Sequence, residues 1–281
     1  MKKYLEMFGL TVLICFSFFL TEKTSDLIKD NDYLMTIIKE KSLELEISSV
    51  DAVIKGDEII PGLSGKIIDI EQSYQVMKKT GIYHNQLLVY KEIEPSISIE
   101  ENYDKYVVSG NSNKKMVSFI FKVEQGSEIN NILNVLDDYQ VSANFFIDGK
   151  WLEKNYELLQ KITSKKHVVG NLGYLNNYEH ENNYWIISNI KRNTNQKKYY
   201  CYCEEKNENI LKKCIEEKQY TILPKVVINA NLLTETKKNI EPGSIISVVI
   251  NNNNLSQLAN TIEFVIAKGY TIVNLDTLLD E

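Results

Sequence analysis

The chain has 281 residues, of which 43% are hydrophobic and 25% charged, and a net charge of −6. That length holds one medium domain plus a further module, and the balance is that of a globular protein rather than a disordered or fibrous one. Of 32 basic residues only Arg192 is an arginine, and no Lys/Arg stripe is present, so nucleic acid is not expected as a partner.

At the N-terminus, Lys2 and Lys3 precede the apolar run FGLTVLICFSFFL at residues 8–20. Positive charge, a short apolar run and then polar residues predict a signal peptide or membrane anchor over residues 1–22. The run is short for a membrane span. No small-residue cleavage site follows it, which favours an uncleaved anchor. Cys15 sits in V-L-I-C, without the small residues that precede a lipid-accepting cysteine, and reads as part of the apolar run.

Residues 23–49 read as a helical spacer with Leu27, Leu34, Ile37 and Ile38 as a loose apolar stripe. Residues 50–110 read as a small α+β module, either a surface for a partner or a packing extension. Strand-like runs at 52–54 and 59–60 flank the turn Lys55-Gly56-Asp57. Asp69, with Gln72 three residues on, has capping-box spacing. It precedes a helix whose buried stripe would be Ile70, Tyr74 and Met77, closed by Gly81. Residues 87–90 read as a strand.

From residue 111 the pattern changes to an alternation. Strand 116–121 is followed by a helix over 128–139, where Ile129, Ile132, Leu133 and Leu136 fall at i, i+3, i+4 and i+7. Strand 143–147, a helix carrying Leu158, Leu159 and Ile162, and strand 167–170 follow. A helical face at Ile210, Leu211, Cys214 and Ile215 precedes strands at 221–222, 226–228 and 245–246. A last helix with Leu258, Ile262, Val265 and Ile266 stops at Gly269, and residues 270–275 read as a closing strand. Alternation of this kind predicts a parallel sheet with helices outside.

Within that frame, Phe145-Phe146, Gly149-Lys150-Trp151, Glu153-Lys154-Asn155 and Lys166-His167-Val168-Val169-Gly170-Asn171 resemble the polysaccharide deacetylase domain, also called the NodB homology domain or carbohydrate esterase family 4. Residues 241–246 (EPGSII) and 269–279 (GYTIVNLDTLL) are similar to that family's C-terminal strands. Residues 59–79 are similar to an extension of extracytoplasmic deacetylase-like proteins of some low-GC bacteria. The resemblance implies an α/β fold over residues 111–281: an irregular (β/α) barrel of deacetylase type, preceded by the small α+β module and the hydrophobic anchor. It also implies a metal-dependent hydrolase site at the C-terminal ends of the strands.

The reactive positions depart from the family. Its T-F-D-D-G stands here as Ile120-Phe121-Lys122-Val123-Glu124, with Lys122 at the base position and Glu124 the sole carboxylate, displaced by two. Its H-x-x-x-H metal pair stands as Leu172 and Asn176. Its R-P-P-Y-G falls in residues 199–205, where no arginine is present, and its L-x-H acid falls in 247–250, where no histidine is present. A charged lysine cannot take a proton from water, leucine cannot ligate, and an amide is a poor substitute for imidazole. Without the ion, nothing polarises the scissile carbonyl.

The expectation is therefore a non-catalytic, degenerate deacetylase at the cell surface, with no metal or other cofactor, binding cell-wall glycan or a surface protein. The competing reading is an active N-deacetylase with an atypical site holding one zinc-type ion. Candidate ligand contacts are Asn171, Tyr174, Tyr178, Tyr202 and Glu204, with Glu179, His180 and Trp185 further along the rim; Trp151 reads as packing. Cys214 could bridge to Cys201 or Cys203 outside the cytoplasm, and buried free thiols are the simplest reading.

Overall fold

The computed structural model describes residues 32–281 together with three isolated positions, Val12, Phe16 and Ser17. Most of the expected anchor, and Cys15, lie outside the described residues. Among the described residues no helix is long and apolar enough to cross a membrane.

In chain order the strands are β1 (Val53–Lys55), β2 (Glu58–Ile60), β3 (Gly65–Ile68), β4 (Tyr90–Ile93), β5 (Tyr106–Val107), β6 (Met116–Val123), β7 (Asn144–Ile147), β8 (Val168–Asn171), β9 (Tyr200–Tyr202), β10 (Tyr220–Ile222), β11 (Val226–Ile228), β12 (Ile245–Val249) and β13 (Thr271–Ile272). The helices are α1 (Tyr33–Leu45), α2 (Ile70–Met77), α3 (Asn130–Asp138), α4 (Gly149–Leu152), α5 (Tyr156–Ser164), α6 (His180–Asn193), α7 (Glu208–Glu216), α8 (Leu232–Asn239), α9 (Asn252–Ser256), α10 (Leu258–Ala267) and α11 (Leu275–Leu278). They group into two compact units, Met1–Ser49 with Ser64–Glu94, and Val50–Leu63 with Pro95–Glu281. Residues 50–110 are thus shared between the units.

The small unit packs α1 and α2 with the antiparallel pair β3–β4. Asp69 caps α2 by accepting from the Gln72 N–H at 2.9 Å, as its spacing predicts. Leu34, Ile38, Ile68, Tyr74 and Met77 form the core, and the Tyr74 hydroxyl donates to Asp32 at 2.9 Å. The strand expected at 87–90 begins only at Tyr90; Asn85–Leu87 is a 3-10 turn. Here the Val89 N–H is taken by the Ser73 hydroxyl at 2.9 Å instead of a strand partner.

The large unit is built on one open sheet in the order β1-β2-β5-β10-β9-β8-β7-β6-β12-β11, with β13 joining β6 beside that path. All its pairings are parallel except β1 with β2. This is the expected α/β fold, realised as an incompletely closed half-barrel. The period of two along each strand divides the core. Val117, Phe119, Phe121, Val123, Phe145 and Ile147 face a cluster shared with α3, α5, α6 and α10. Ile120, Phe146, Tyr200, Tyr202 and Ile222 face a second, inner cluster with Leu275, Leu278 and Leu279. Gly170 lets that inner layer close up, since a Cβ there would stand 2.6 Å from the Phe146 ring.

Buried Asn144 ties the C-terminal segment to the central strands. Its amide donates to the Ser118 hydroxyl and the Phe119 carbonyl, both at 2.8 Å, and its oxygen accepts from the Leu275 N–H at 2.7 Å. Leu275 is therefore the first residue of α11, capped by Asn274, and the closing strand is shorter than the predicted 270–275. The sequence pattern also missed α6. Its buried face alternates Asn183 with Ile186, Ile187 and Ile190, and the rest of the helix is polar.

His167, just before β8, is buried. Its Nδ1 accepts from the Ala143 N–H at 3.2 Å, its ring lies edge-on to Phe145, and Nε2 has no partner among the described residues. Burial, reinforced by Lys165, pushes its pKa down to about 4. The unfolded chain then takes up a proton near pH 6.5 that the native state refuses until about pH 4. Stability is complete above pH 6.5 and falls as pH drops through that window. Between pH 7 and 4.5 urea unfolding should report a loss of about 2–3 kcal/mol from this group. His167→Gln should flatten that slope; an unchanged slope would show that other groups set it.

Candidate functional site

Parallel strands end on one side, so the residues that follow β6, β8 and β9 are brought to one rim. Together with the loops behind them they enclose a cavity of about 390 Å³ lined by Lys122, Glu124, Leu172, Asn176, Tyr178, Tyr202, Glu204 and the stretch from Cys203 to Asn207, with Ile210. Lys122, Leu172 and Asn176, from distant parts of the sequence, thus share one hollow.

The loop that carries Asn176 is pinned by its own backbone and by one carboxylate. Tyr174 and Asn177 exchange N–H···O bonds at 2.9 and 3.0 Å, and Leu175 and Asn176 both lie in the left-handed region, φ 51° and 62°. This is a two-residue type I′ turn. Asp148, buried after β7, accepts from the Lys150 N–H at 2.8 Å, capping α4, and from the Leu175 N–H at 2.6 Å. One side chain therefore sets two rim loops. Below them the Tyr178 hydroxyl donates to the Tyr202 carbonyl at 2.8 Å, and the Tyr202 hydroxyl pairs with Ser247 at 2.9 Å.

The charge in the cavity is organised around Lys122. Its side chain is 13% exposed, its Nζ lies 2.7 Å from a Glu204 carboxylate oxygen, and it stands over the Tyr202 ring at 5.5 Å from the centroid. Lys206 is held by Asp57 at 2.7 Å and Glu58 at 2.8 Å, which raise its pKa. Burial raises the phenols of Tyr178 and Tyr202, so both stay neutral. Burial also pushes the Cys203 thiol up to about 11, which leaves it protonated and unreactive.

A divalent ion does not fit this donor set. Among the described residues there is no group of three His, Cys, Asp or Glu able to hold one. Leu172 and Asn176, which the sequence resemblance sets at the family's imidazole positions, offer no imidazole, and the ammonium of Lys122 stands at the position it sets for a carboxylate. A divalent cation placed about 4 Å from that ammonium would meet repulsion on the order of 8 kcal/mol at an effective dielectric constant of about 20. What remains is a polar surface of donors and acceptors.

Other sequence candidates fall elsewhere. Asn171 is fully buried: its amide donates to Asn183 at 2.7 Å and Gln219 at 3.0 Å, and its oxygen accepts from the Gly173 N–H at 2.8 Å. Tyr174 donates to Glu153 at 2.6 Å and packs against Trp185, away from the cavity wall. His180 opens α6, exposed, 3.4 Å from Glu216. Trp151 is buried and donates to the Ser127 carbonyl at 3.0 Å. Cys201 and Cys214 form a disulfide, which corrects the simpler reading of three free thiols; Cys203 is free and buried. Lys206, Asn207 and Ile210 went unrecognised, because the partners that orient Lys206 precede it by about 150 residues.

Comparison with known proteins adds the following. Residues 109–239 match the family model described as polysaccharide deacetylase. The uncharacterized protein YlxY of Bacillus subtilis (strain 168) is 36% identical over 145 residues, covering 51% of this chain and 46% of that protein, so the match spans about half of that relative. The crystal structure of wild-type BA3943, a CE4 family pseudoenzyme from Bacillus anthracis, is similar at a TM-score of 0.67 and 26% identity, covering 89% of this chain and 96% of that one. A mutant of BA3943 with restored enzymatic activity matches at a TM-score of 0.67 and 25% identity, over 88% and 98% of the two chains. Bacillus subtilis PdaA, a family 4 carbohydrate esterase, shares the fold at a TM-score of 0.54 and 20% identity, over 63% of this chain and 86% of that one.

The disulfide joins β9 to α7 beside the cavity, closing a loop of sequence separation 13. Loop-closure entropy predicts that reduction, or the Cys201→Ser/Cys214→Ser pair, lowers stability by about 3 kcal/mol. Urea unfolding with and without reductant measures it, and the serine pair should abolish the dependence on reductant.

Proposed function

We propose, from the match of residues 109–239 to the family model described as polysaccharide deacetylase, that the protein is a non-catalytic, deacetylase-like binding protein of the cell surface that holds cell-wall glycan without turning it over. The observation that carries this reading is the Lys122–Glu204 pair occupying the place of the catalytic base. It supplies a fixed donor and acceptor and sets an ammonium where the resemblance would put a carboxylate. The Cys201–Cys214 bond supports an oxidising, extracytoplasmic location, and the apolar run at residues 8–20 supports attachment to a membrane.

The ligand class follows from the lining. Lys122 and Lys206 face Glu124, Glu204 and Glu205. Two cations against three carboxylates disfavour a polyanion and suit a neutral sugar. Lys122, Asn176 and Glu204 offer donors and acceptors for hydroxyl and acetamido groups.

Calorimetry with chitooligosaccharide, and retention on purified peptidoglycan, test binding. Lys122→Met should weaken binding tenfold or more, the worth of one hydrogen bond to a charged group. Zinc or cobalt should produce no acetate release from either glycan. Metal-dependent acetate release would establish the competing reading of an active N-deacetylase, and binding indifferent to Lys122→Met would remove the cavity from the proposal.

The shared cavity gives a second test. Lys122→Asp combined with Leu172→His and Asn176→His places three ligands around one space. Zinc at a hundredfold excess over its dissociation constant should stabilise this variant by about 2.7 kcal/mol, reversibly with chelator, and leave the natural chain unchanged. Equal zinc responses in both would mean that these positions do not decide metal binding.

A further inference from the structure

A second concavity lies at the opposite end of the sheet, against the starts of β8 and β9. Its volume is about 510 Å³, and its walls include Lys166, His167, Arg192, Gln196, Asn274 and Asp276. A neighbouring hollow shares Lys166 and His167. Several of these groups are already committed. Gln196 bonds both the N–H and the carbonyl of Val169, at 2.7 and 2.9 Å. Asn274 donates to the Lys166 carbonyl at 2.8 Å. Asp276 accepts from the Tyr200 hydroxyl at 2.7 Å.

Three donors are left over. Arg192, the chain's sole arginine, and the ammonium of Lys166 have no hydrogen bond or ion pair among the described residues. The third donor is in His167. Its Nδ1 accepts from Ala143, so in the neutral ring the proton is on Nε2, and that N–H is buried without an acceptor. Cations at helix C-termini complement the helix dipole, and that accounts for Arg192 at the end of α6. It does not account for an orphaned imidazole donor, since buried donors are almost always paired and leaving one unmade costs about 1–3 kcal/mol.

We propose that this hollow binds a small oxyanion group, phosphate or carboxylate, gripped by Arg192 and Lys166 and completed by the Nε2–H of His167. A guanidinium matches such a group with two parallel bonds. Two cations against the single carboxylate of Asp276 leave the hollow positive, opposite in balance to the cavity at the strand ends. The low pKa of His167 is consistent with this role: it donates a hydrogen bond as a neutral ring while the charge comes from its neighbours.

The test is NMR of the full protein labelled at histidine nitrogen, titrated with inorganic phosphate and separately with acetate, at constant ionic strength in chloride. The expected result is a saturable shift of the His167 Nε2 signal with at least one of them, and the two arms show whether phosphate or carboxylate is preferred. Arg192→Ala should weaken the response tenfold or more and Arg192→Lys by less, with chitooligosaccharide binding unchanged in both, which also serves as the check that each variant is folded. No saturable shift in the natural chain, or a shift that Arg192→Ala leaves intact, overturns the proposal. Neither outcome bears on glycan binding at the other end.

Discussion

Everything at the functional end of the molecule depends on how β6 is held. Among the described residues it is the one strand with three partners: β13 at its start, β12 and β7 along the rest. Once that pairing is set, side-chain direction follows from the pleat. Phe119, Phe121 and Val123 go to the helix-covered face, and Ile120 to the interior. Residue 122 follows Ile120 on the same side and arrives at the cavity. A lysine there cannot turn to solvent without slipping the register of the central strand, so its charge is committed to the mouth. Glu204, after β9, answers that charge.

This placement explains how a scaffold can persist while its chemistry changes. The residues that make the barrel are buried and tightly coupled: the Asn144 network, Gly170 under Phe146, Asp148 between two loops. Altering any of them disturbs several elements at once. Of the cavity residues, Glu124, Asn176 and Glu204 are exposed and Lys122 half-buried, while Leu172, Tyr178 and Tyr202 belong to the buried layers. Side chains of many kinds fit at positions 122 and 176 without cost to the buried layers, whereas Leu172 is packed into the inner cluster. The resulting cavity has a polar lining in which Lys122 and Lys206 stand among Glu124, Glu204 and Glu205.

The parts of the fold that could be read from the amino-acid order are those with a local cause. Helix α3 shows its stripe, α2 its Asp69 cap, and β7 its apolar run, because 3.6- and 2-residue periods and capping bonds act over a few positions. Helix α6 escaped because Asn183 sits on its buried face, bonded to Asn171 and Gln219, and a polar core residue breaks the hydrophobic pattern. Leu275 was assigned to a strand because its helical state is imposed from outside, by Asn274 and by Asn144. Within the candidate site the rule is placement near the barrel mouth, and Tyr178, Tyr202 and Glu204, expected there, line the cavity. Asn171 satisfies the same rule yet turns into the protein, and Tyr174 is drawn to Glu153 and Trp185, since rim position does not say which way a side chain is drawn.

The amino-acid order by itself determined that this chain would build a β/α scaffold and that the stretches resembling the family's reactive motifs carry other residue types, because both are statements about residue type at fixed local spacing. Only the tertiary structure decided that Lys122, Leu172 and Asn176 meet in one hollow, that Cys201 pairs with Cys214 while Cys203 stays free, and that Lys206 is held by Asp57 and Glu58. Those are encounters between residues far apart in the chain, and their distances are set by strand order and register, which no local pattern encodes.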